Sequence, residues 1–165
     1  MNFRLEPLTR LHNRRAFSCG DEMVDSFLRE QAMQDQDRRL SRTHVLVELS
    51  GDPARVIGYY TFALTTLSQE EIPADRPKIK RPIPVILLGQ LGVDKEFQGR
   101  RLGERMLVEA QKRMLDLSPI VYVRALVLDA RTESLAIWYE SHAFSRHEGS
   151  LRMIKKIDLI EEFFA

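Results

Sequence analysis

Three segments that follow directly on one another limit the folds open to this chain more than any other feature. Val85-Ile-Leu-Leu88 runs on to Leu91-Gly-Val93 as an uncharged stretch, Gln98-Gly-Arg-Arg-Leu-Gly103 follows, and an amphipathic segment then continues to Leu117. An apolar run of this length without alternation is the pattern of a strand covered on both faces. In the third segment Leu102, Met106, Ala110 and Met114 recur every fourth residue beside Leu107 and Leu115, which predicts a helix with one buried stripe. Pro119 ends it, and Val121–Leu128 reads as a second apolar strand. Strand, glycine turn, helix and strand make an α/β unit.

The flanking sequence adds elements to this unit. Asp21 is placed to cap one or two amphipathic helices within Glu22–Leu40. Thr43–Leu49 and Val56–Leu64 are β-branched and aromatic, and Gly51-Asp-Pro53 between them signals a hairpin. Gln69–Pro84 holds four of the seven prolines and reads as a loop. Thr132–His142 reads as a helix with Leu135, Ala136 and Tyr139 on one side, and Ala143-Phe144 and Leu151–Ile157 close the sheet. No repeat or Gly/Ser-rich linker divides the 165 residues, so a single domain spanning 1–165 is expected.

Several function classes are excluded early. Lys+Arg number 25 against 24 Asp+Glu, a net charge of +1, so the chain is not a uniformly basic nucleic-acid binder. Cys19 is the single cysteine and the four histidines form no ligand pattern, so neither a disulfide framework nor a metal site is expected. The opening Met-Asn-Phe-Arg-Leu-Glu lacks a basic region followed by an apolar one, and the longest uncharged apolar stretch, Pro82–Val93, is twelve residues against the roughly twenty of a membrane span. A cytoplasmic protein is the expectation.

The turn at 98–103 is suited to an anion. A helix start offers free backbone N–H groups and a partial positive charge, and Gly99 and Gly103 let main chain approach a pyrophosphate. Glu104-Arg105 after Gly103 does not fit a Walker loop, and the glycine spacing does not fit a dinucleotide fingerprint.

With its flanks, Leu91-Gly-Val-Asp-Lys-Glu-Phe-Gln-Gly-Arg-Arg-Leu-Gly-Glu-Arg-Met-Leu107 resembles the acetyl-coenzyme A motif of the GNAT N-acetyltransferase superfamily. Ala136-Ile-Trp-Tyr-Glu-Ser-His-Ala-Phe144 is similar to that superfamily's second signature, Ala-x-x-Phe-Tyr-Glu-x-x-Gly-Phe. Phe17–Leu28, Gln34–Ser41, Val56–Tyr60 and Pro84–Gly89 extend the resemblance to one branch, the acetyltransferase toxins of bacterial type II toxin–antitoxin modules. It implies a central mixed sheet flanked by helices, with a splayed strand pair that receives acetyl-CoA. It also implies acetylation of the α-amino group on aminoacyl-tRNA, a cognate antitoxin of ribbon-helix-helix type and a homodimer. A GNAT enzyme acting on a protein N-terminus or small amine, and a non-catalytic GNAT-like binding domain, are the alternatives.

By the same resemblance Leu91, Gly92 and Val93 meet the acetyl group and pantetheine arm, Gln98, Gly99, Arg100, Arg101, Leu102, Gly103 and Glu104 the pyrophosphate, and Asp129 and Ser134 the coenzyme region. Tyr139 is the catalytic candidate, because a phenol is protonated at neutral pH and can donate to a departing thiolate. Arg101 and Ala143 replace motif glycines; a positive φ at 101 would be costly for arginine, whereas a helical one would free its guanidinium for phosphate or nucleic acid. For tRNA, the candidates are Arg76, Lys78, Lys80 and Arg81 in the proline loop, and Arg38, Arg39 and Arg42 after the first helices. The acidic tail, Asp158, Glu161 and Glu162, should face away from RNA.

Overall fold

The computed structural model describes residues 2–72 and 78–165. Seven strands form one mixed sheet in the order β1-β2-β3-β4-β5-β7-β6, with β1 Phe3–Pro7, β2 Arg42–Glu48, β3 Gly58–Leu67, β4 Ile83–Val93, β5 Ala125–Asp129, β6 Ser145–Arg146 and β7 Arg152–Lys156. The helices are α1 Glu22–Ser26, α2 Ala32–Asp37, α3 Leu102–Leu117, α4 Glu133–Glu140 and α5 Ile157–Phe164. A π-helical turn, Phe27–Gln31, joins α1 to α2. Contacts divide the chain into two compact units, Met1–Ala63 with Gly89–Ala110 and Leu64–Leu88 with Gln111–Ala165.

In the first unit β1 pairs antiparallel with β2, and β2 with β3. The expected hairpin is present, although its second strand begins at Gly58. Phe17, Val24, Leu28, Ala32, Val45, Val47, Val56 and Tyr59 form its core. Asp21 caps α1 as its sequence position predicts, accepting from the Met23 amide at 3.0 Å. The buried Asp25 turns back to accept from the Cys19 amide at 2.8 Å. The Tyr59 hydroxyl donates to the Val24 carbonyl at 2.6 Å. These bonds fix the 17–25 segment, where a Cβ on Gly92 would come within 2.9 Å of Val24 and 3.4 Å of Phe17. Glycine at 92 is therefore a packing requirement.

In the second unit β4 and β5 run parallel, and their ladder holds two pairs, Ile86↔Leu126 and Leu87↔Val127. β4 continues past it to Val93 and β5 to Asp129. β7 lies antiparallel to β5 on one side and β6 on the other. Leu67, Ile72, Ile83, Val85, Ala125, Val127 and Ile154 form the core here.

Three sequence expectations are corrected. Val121–Leu128 is a strand only from Ala125, because the end of α3 continues as a turn in which the amides of Ile120 and Val121 return to Leu117; Val121 and Tyr122 are exposed. Leu135 is exposed, so α4 buries Ala136 and Tyr139 without it. Ala143-Phe144 lies in the turn after α4 and not in the sheet, whose short strand β6 is Ser145–Arg146.

Both helix ends that close on a left-handed residue do so without glycine. After α2 the Leu40 amide returns to Asp35 and the Arg39 amide to Gln36, with Arg39 at φ 59. After α4 the Phe144 amide returns to Tyr139 and the Ala143 amide to Glu140, with Ala143 at φ 64. Each is a Schellman motif whose left-handed position favours glycine. Ala143→Gly is therefore expected to raise the unfolding free energy by about 1 kcal/mol, the left-handed penalty less glycine's greater chain entropy. Thermal unfolding should then shift upward by about 2–4 °C; a downward shift would show that the alanine methyl packs more favourably than this balance allows.

Candidate active site

In the first unit the residues matched to the coenzyme motif form one continuous path. Asp94, buried, accepts from the Glu96 amide at 3.1 Å to cap the 3₁₀ turn Lys95–Phe97, and from the Ser18 amide at 3.1 Å. The Gln98 side-chain amide donates to the Cys19 carbonyl at 2.8 Å and to the Val93 carbonyl at 2.9 Å. Its side chain thus braces the turn. Gly99 follows at φ 77 with no atom within 4 Å of a built Cβ, and Arg101 at φ 57 precedes α3. Arg101 takes the strained alternative of the two open to it.

The first helical closure is the Arg105 amide to the Arg101 carbonyl at 3.1 Å. The amides of Leu102 and Gly103 therefore lie ahead of any intrahelical acceptor. With the helix dipole behind them and open space at Gly99, the chain at 98–104 fits a phosphate group. Arg100 and Arg101 are both exposed. The Arg100 guanidinium lies 5.1 Å from the Phe97 ring centroid, and Arg55, paired with Glu96 at 2.6 Å, lies 4.9 Å from the same ring. Arg105, which neighbours these arginines in sequence, instead donates to the Phe3 carbonyl at 3.2 Å.

In the second unit Tyr139 sits at the end of α4, capped at its start by Thr132, whose hydroxyl accepts from the Leu135 amide. Ser134 is exposed in the first turn. Tyr139 is 6% exposed, its ring edge-on to Trp138 at 4.8 Å and to Phe144 at 5.5 Å. Its hydroxyl makes no hydrogen bond among the described residues, and burial raises its pKa. The motif spacing thereby acquires a physical reading: the tyrosine supplies the carbonyl that closes the helix end, the glycine position is the left-handed residue, and the phenylalanine packs back on the tyrosine ring. Arg146 fastens the outer face of α4, bonding Glu140 at 2.8 Å and Glu133 at 2.6 Å.

Asp129 is held by Arg152 in a two-point pair at 2.9 and 3.0 Å, and the same guanidinium reaches Glu71 at 3.1 Å. Its carboxylate is thus committed to anchoring the proline loop, whose Gln69 side chain accepts from the Ile79 amide at 2.8 Å. Lys78, Lys80 and Arg81 are exposed, and Arg76 lies outside the described residues. In the first unit Arg38, Arg39 and Arg42 are exposed as well. Arg152 and Lys155 belong to no motif and sequence reasoning misses both. Lys155 stands in phase with Met153 in a strand, and a lysine at a core-facing register is the signal that points to it. Among the described residues no group of three metal-ligating side chains occurs, and no helix is long and apolar enough to cross a membrane.

No family profile matches the chain. A tRNA-acetylating toxin of Mycobacterium tuberculosis is 30% identical over 125 residues, covering 75% of this chain and 73% of the relative. A probable toxin TacT of Sinorhizobium fredii is 28% identical over 130 residues, 76% and 70% of the two chains. Among solved structures, a tyrosine-to-phenylalanine mutant of KacT superposes with a TM-score of 0.90 at 25% identity, over 99% of this chain and 100% of that one. AtaT complexed with acetyl-methionyl-tRNAfMet also gives 0.90, at 22% identity over 99% and 100%, which speaks for the fold. By sequence and by fold, the chain belongs to the tRNA-acetylating toxins of the GNAT superfamily.

Proposed function

We propose that this protein transfers the acetyl group of acetyl-CoA to the α-amino group of aminoacyl-tRNA and thereby blocks translation, as the toxin of a type II toxin–antitoxin module. The observation that carries the reading is Tyr139, a buried phenol with no hydrogen-bond partner among the described residues, held by the helix-closing motif in a member of this family. Residues 1–165 act in this reading as one catalytic domain. A structure of AtaTR bound with AcCoA gives a TM-score of 0.86, and the 98–104 turn of this chain fits such a phosphate-bearing co-substrate.

The chemistry follows from the residues. The neutral amine attacks the thioester carbonyl, an N–C bond forms, the C–S bond breaks, the sulfur takes a proton and the nitrogen loses one. Backbone N–H at Leu91, Gly92 and Val93 supplies polarisation for the acetyl oxygen. Main chain at 98–104 binds the pyrophosphate, with Arg100 and Arg101 beside it; Asp129 and Ser134 support the region structurally. Tyr139 donates to the sulfur and regains its proton from water. Burial keeps the phenol protonated throughout the physiological range, so a donor is present at every turnover. The substrate needs no strong general base, because an α-amine titrates near 8 and is partly neutral at pH 7, unlike a lysine amine near 10.4.

Lys78, Lys80, Arg81 and Arg76, with Arg38, Arg39 and Arg42, are assigned to the tRNA backbone. A cytoplasmic location, a homodimer and an antitoxin of ribbon-helix-helix type complete the reading. An adjacent antitoxin reading frame would support the last of these.

Three measurements test the proposal. Labelled acetyl should enter charged but not deacylated tRNA; label confined to proteins or small amines would replace this reading with that of an ordinary amine acetyltransferase. Tyr139→Phe should slow transfer by about 10²–10⁴-fold while leaving acetyl-CoA affinity nearly intact, and unchanged turnover removes the tyrosine from the role. Reversing the charge of Lys78, Lys80 and Arg81 should weaken tRNA binding and reduce the log–log salt slope by about one for each phosphate no longer engaged. An unaltered slope places the RNA-binding surface elsewhere.

A further inference from the structure

A buried lysine stands behind the helix end that carries Tyr139. Lys155, on β7, is 4% exposed, and its ammonium donates to the His142 carbonyl at 3.1 Å. Two aromatic rings cover it, Phe144 with its centroid at 5.8 Å and Phe163 of α5 at 5.5 Å. Burial alone lowers its pKa, and no carboxylate of the described residues pairs with it. An ammonium so placed is costly, and an apolar side chain of similar length would fill the position more cheaply. Its partner is what distinguishes it. The Schellman motif after α4 engages the carbonyls of Tyr139 and Glu140. The carbonyl of His142, the residue before the left-handed Ala143, is used by neither bond of that motif. A cation donating there satisfies an acceptor and meets the negative end of the α4 dipole.

We infer that Lys155 is a positioning residue for Tyr139: it fixes the 141–144 turn through the His142 carbonyl and the Phe144 ring, and this turn holds the phenol in place. The assignment rests on the reading of Tyr139 as the proton donor. Two contacts connect the ammonium to the phenol ring. Nζ lies over Phe144, and Phe144 packs edge-on against Tyr139 at 5.5 Å. Ala143, without glycine's ease in the left-handed region, makes the turn more dependent on such an outside hold. Lys155 touches neither substrate nor reacting atoms in this scheme. It acts by limiting the excursions of the phenol, and misplacement of a catalytic group by about 1 Å can cost up to about a hundredfold in rate.

The test is a double-mutant cycle on full-length protein with acetyl-CoA and aminoacyl-tRNA. Lys155→Met keeps the stem and removes the donor; kcat should fall about tenfold to a hundredfold with the KM for acetyl-CoA unchanged. Lys155→Arg, which keeps a charged donor, should recover part of the loss. In a Tyr139→Phe background Lys155→Met should cost little more, because the group it positions is already gone. Should Lys155→Met not fold, Lys155→Leu, which likewise carries no donor, takes its place with the same expected loss. Wild-type kcat in the folded Lys155 variant overturns the assignment, as does an equal further loss in the Tyr139→Phe background. If Tyr139→Phe itself turns over like wild type, the tyrosine reading falls and this one with it; loss in Tyr139→Phe with wild-type turnover in Lys155→Met overturns this one alone.

Discussion

The carbonyl of Tyr139 receives two backbone amides, those of His142 and Phe144, and the second unit is organised around this closure. It stops α4 after eight residues, reverses the chain into β6 and brings Phe144 against the tyrosine ring. The aromatic at the end of the helix is thus held from its own backbone as well as from its ring. A side chain anchored in this way loses little additional freedom when it meets a reacting atom, which is the condition for useful positioning.

The first unit solves a comparable problem at the other motif with side chains. Asp94 and Gln98 together tie Ser18, Cys19 and Val93 to the turn before α3. Asp94 and Gln98 are therefore committed to holding the loop, and the turn's main chain and helix start are left open beside its exposed arginines. This division is physically reasonable, since backbone amides at a helix N-terminus are oriented by the helix itself and need no rotamer to be frozen. The arginines at 100 and 55 stack on Phe97 and add positive potential near the turn.

Much of the fold is legible in the sequence because its period signals are strong. The stripe through Leu102, Met106, Ala110 and Met114 is buried as its spacing predicts, and Asp21 and Thr132 cap helices from their sequence positions. β1 escapes such a reading because its alternating run, Phe3 to Glu6, is only four residues long before the proline, and α5 because its charges hide the spacing of Ile157 and Ile160. At the candidate site, the motif is what singles out Tyr139 and the glycine turn. It does not give the roles of Gln98 and Asp129, since each depends on partners far away in sequence, Cys19 for one and Arg152 for the other. Lys155 is concealed for the same reason: a lysine in a strand reads as solvated until the rings that cover it are known.

The two residues that stand where motif glycines are expected carry an implication at the level of the gene. Every arginine codon and every alanine codon is a single base change from a glycine codon, so relief of the left-handed strain at Arg101 and Ala143 is the shortest mutational step open to either position. A chain that retains both residues so close to that relief is not held back by access to it. At Arg101 an exposed guanidinium at the start of α3 is a counterweight selection can act on, and at Ala143 the turn that Lys155 reaches through the His142 carbonyl is another.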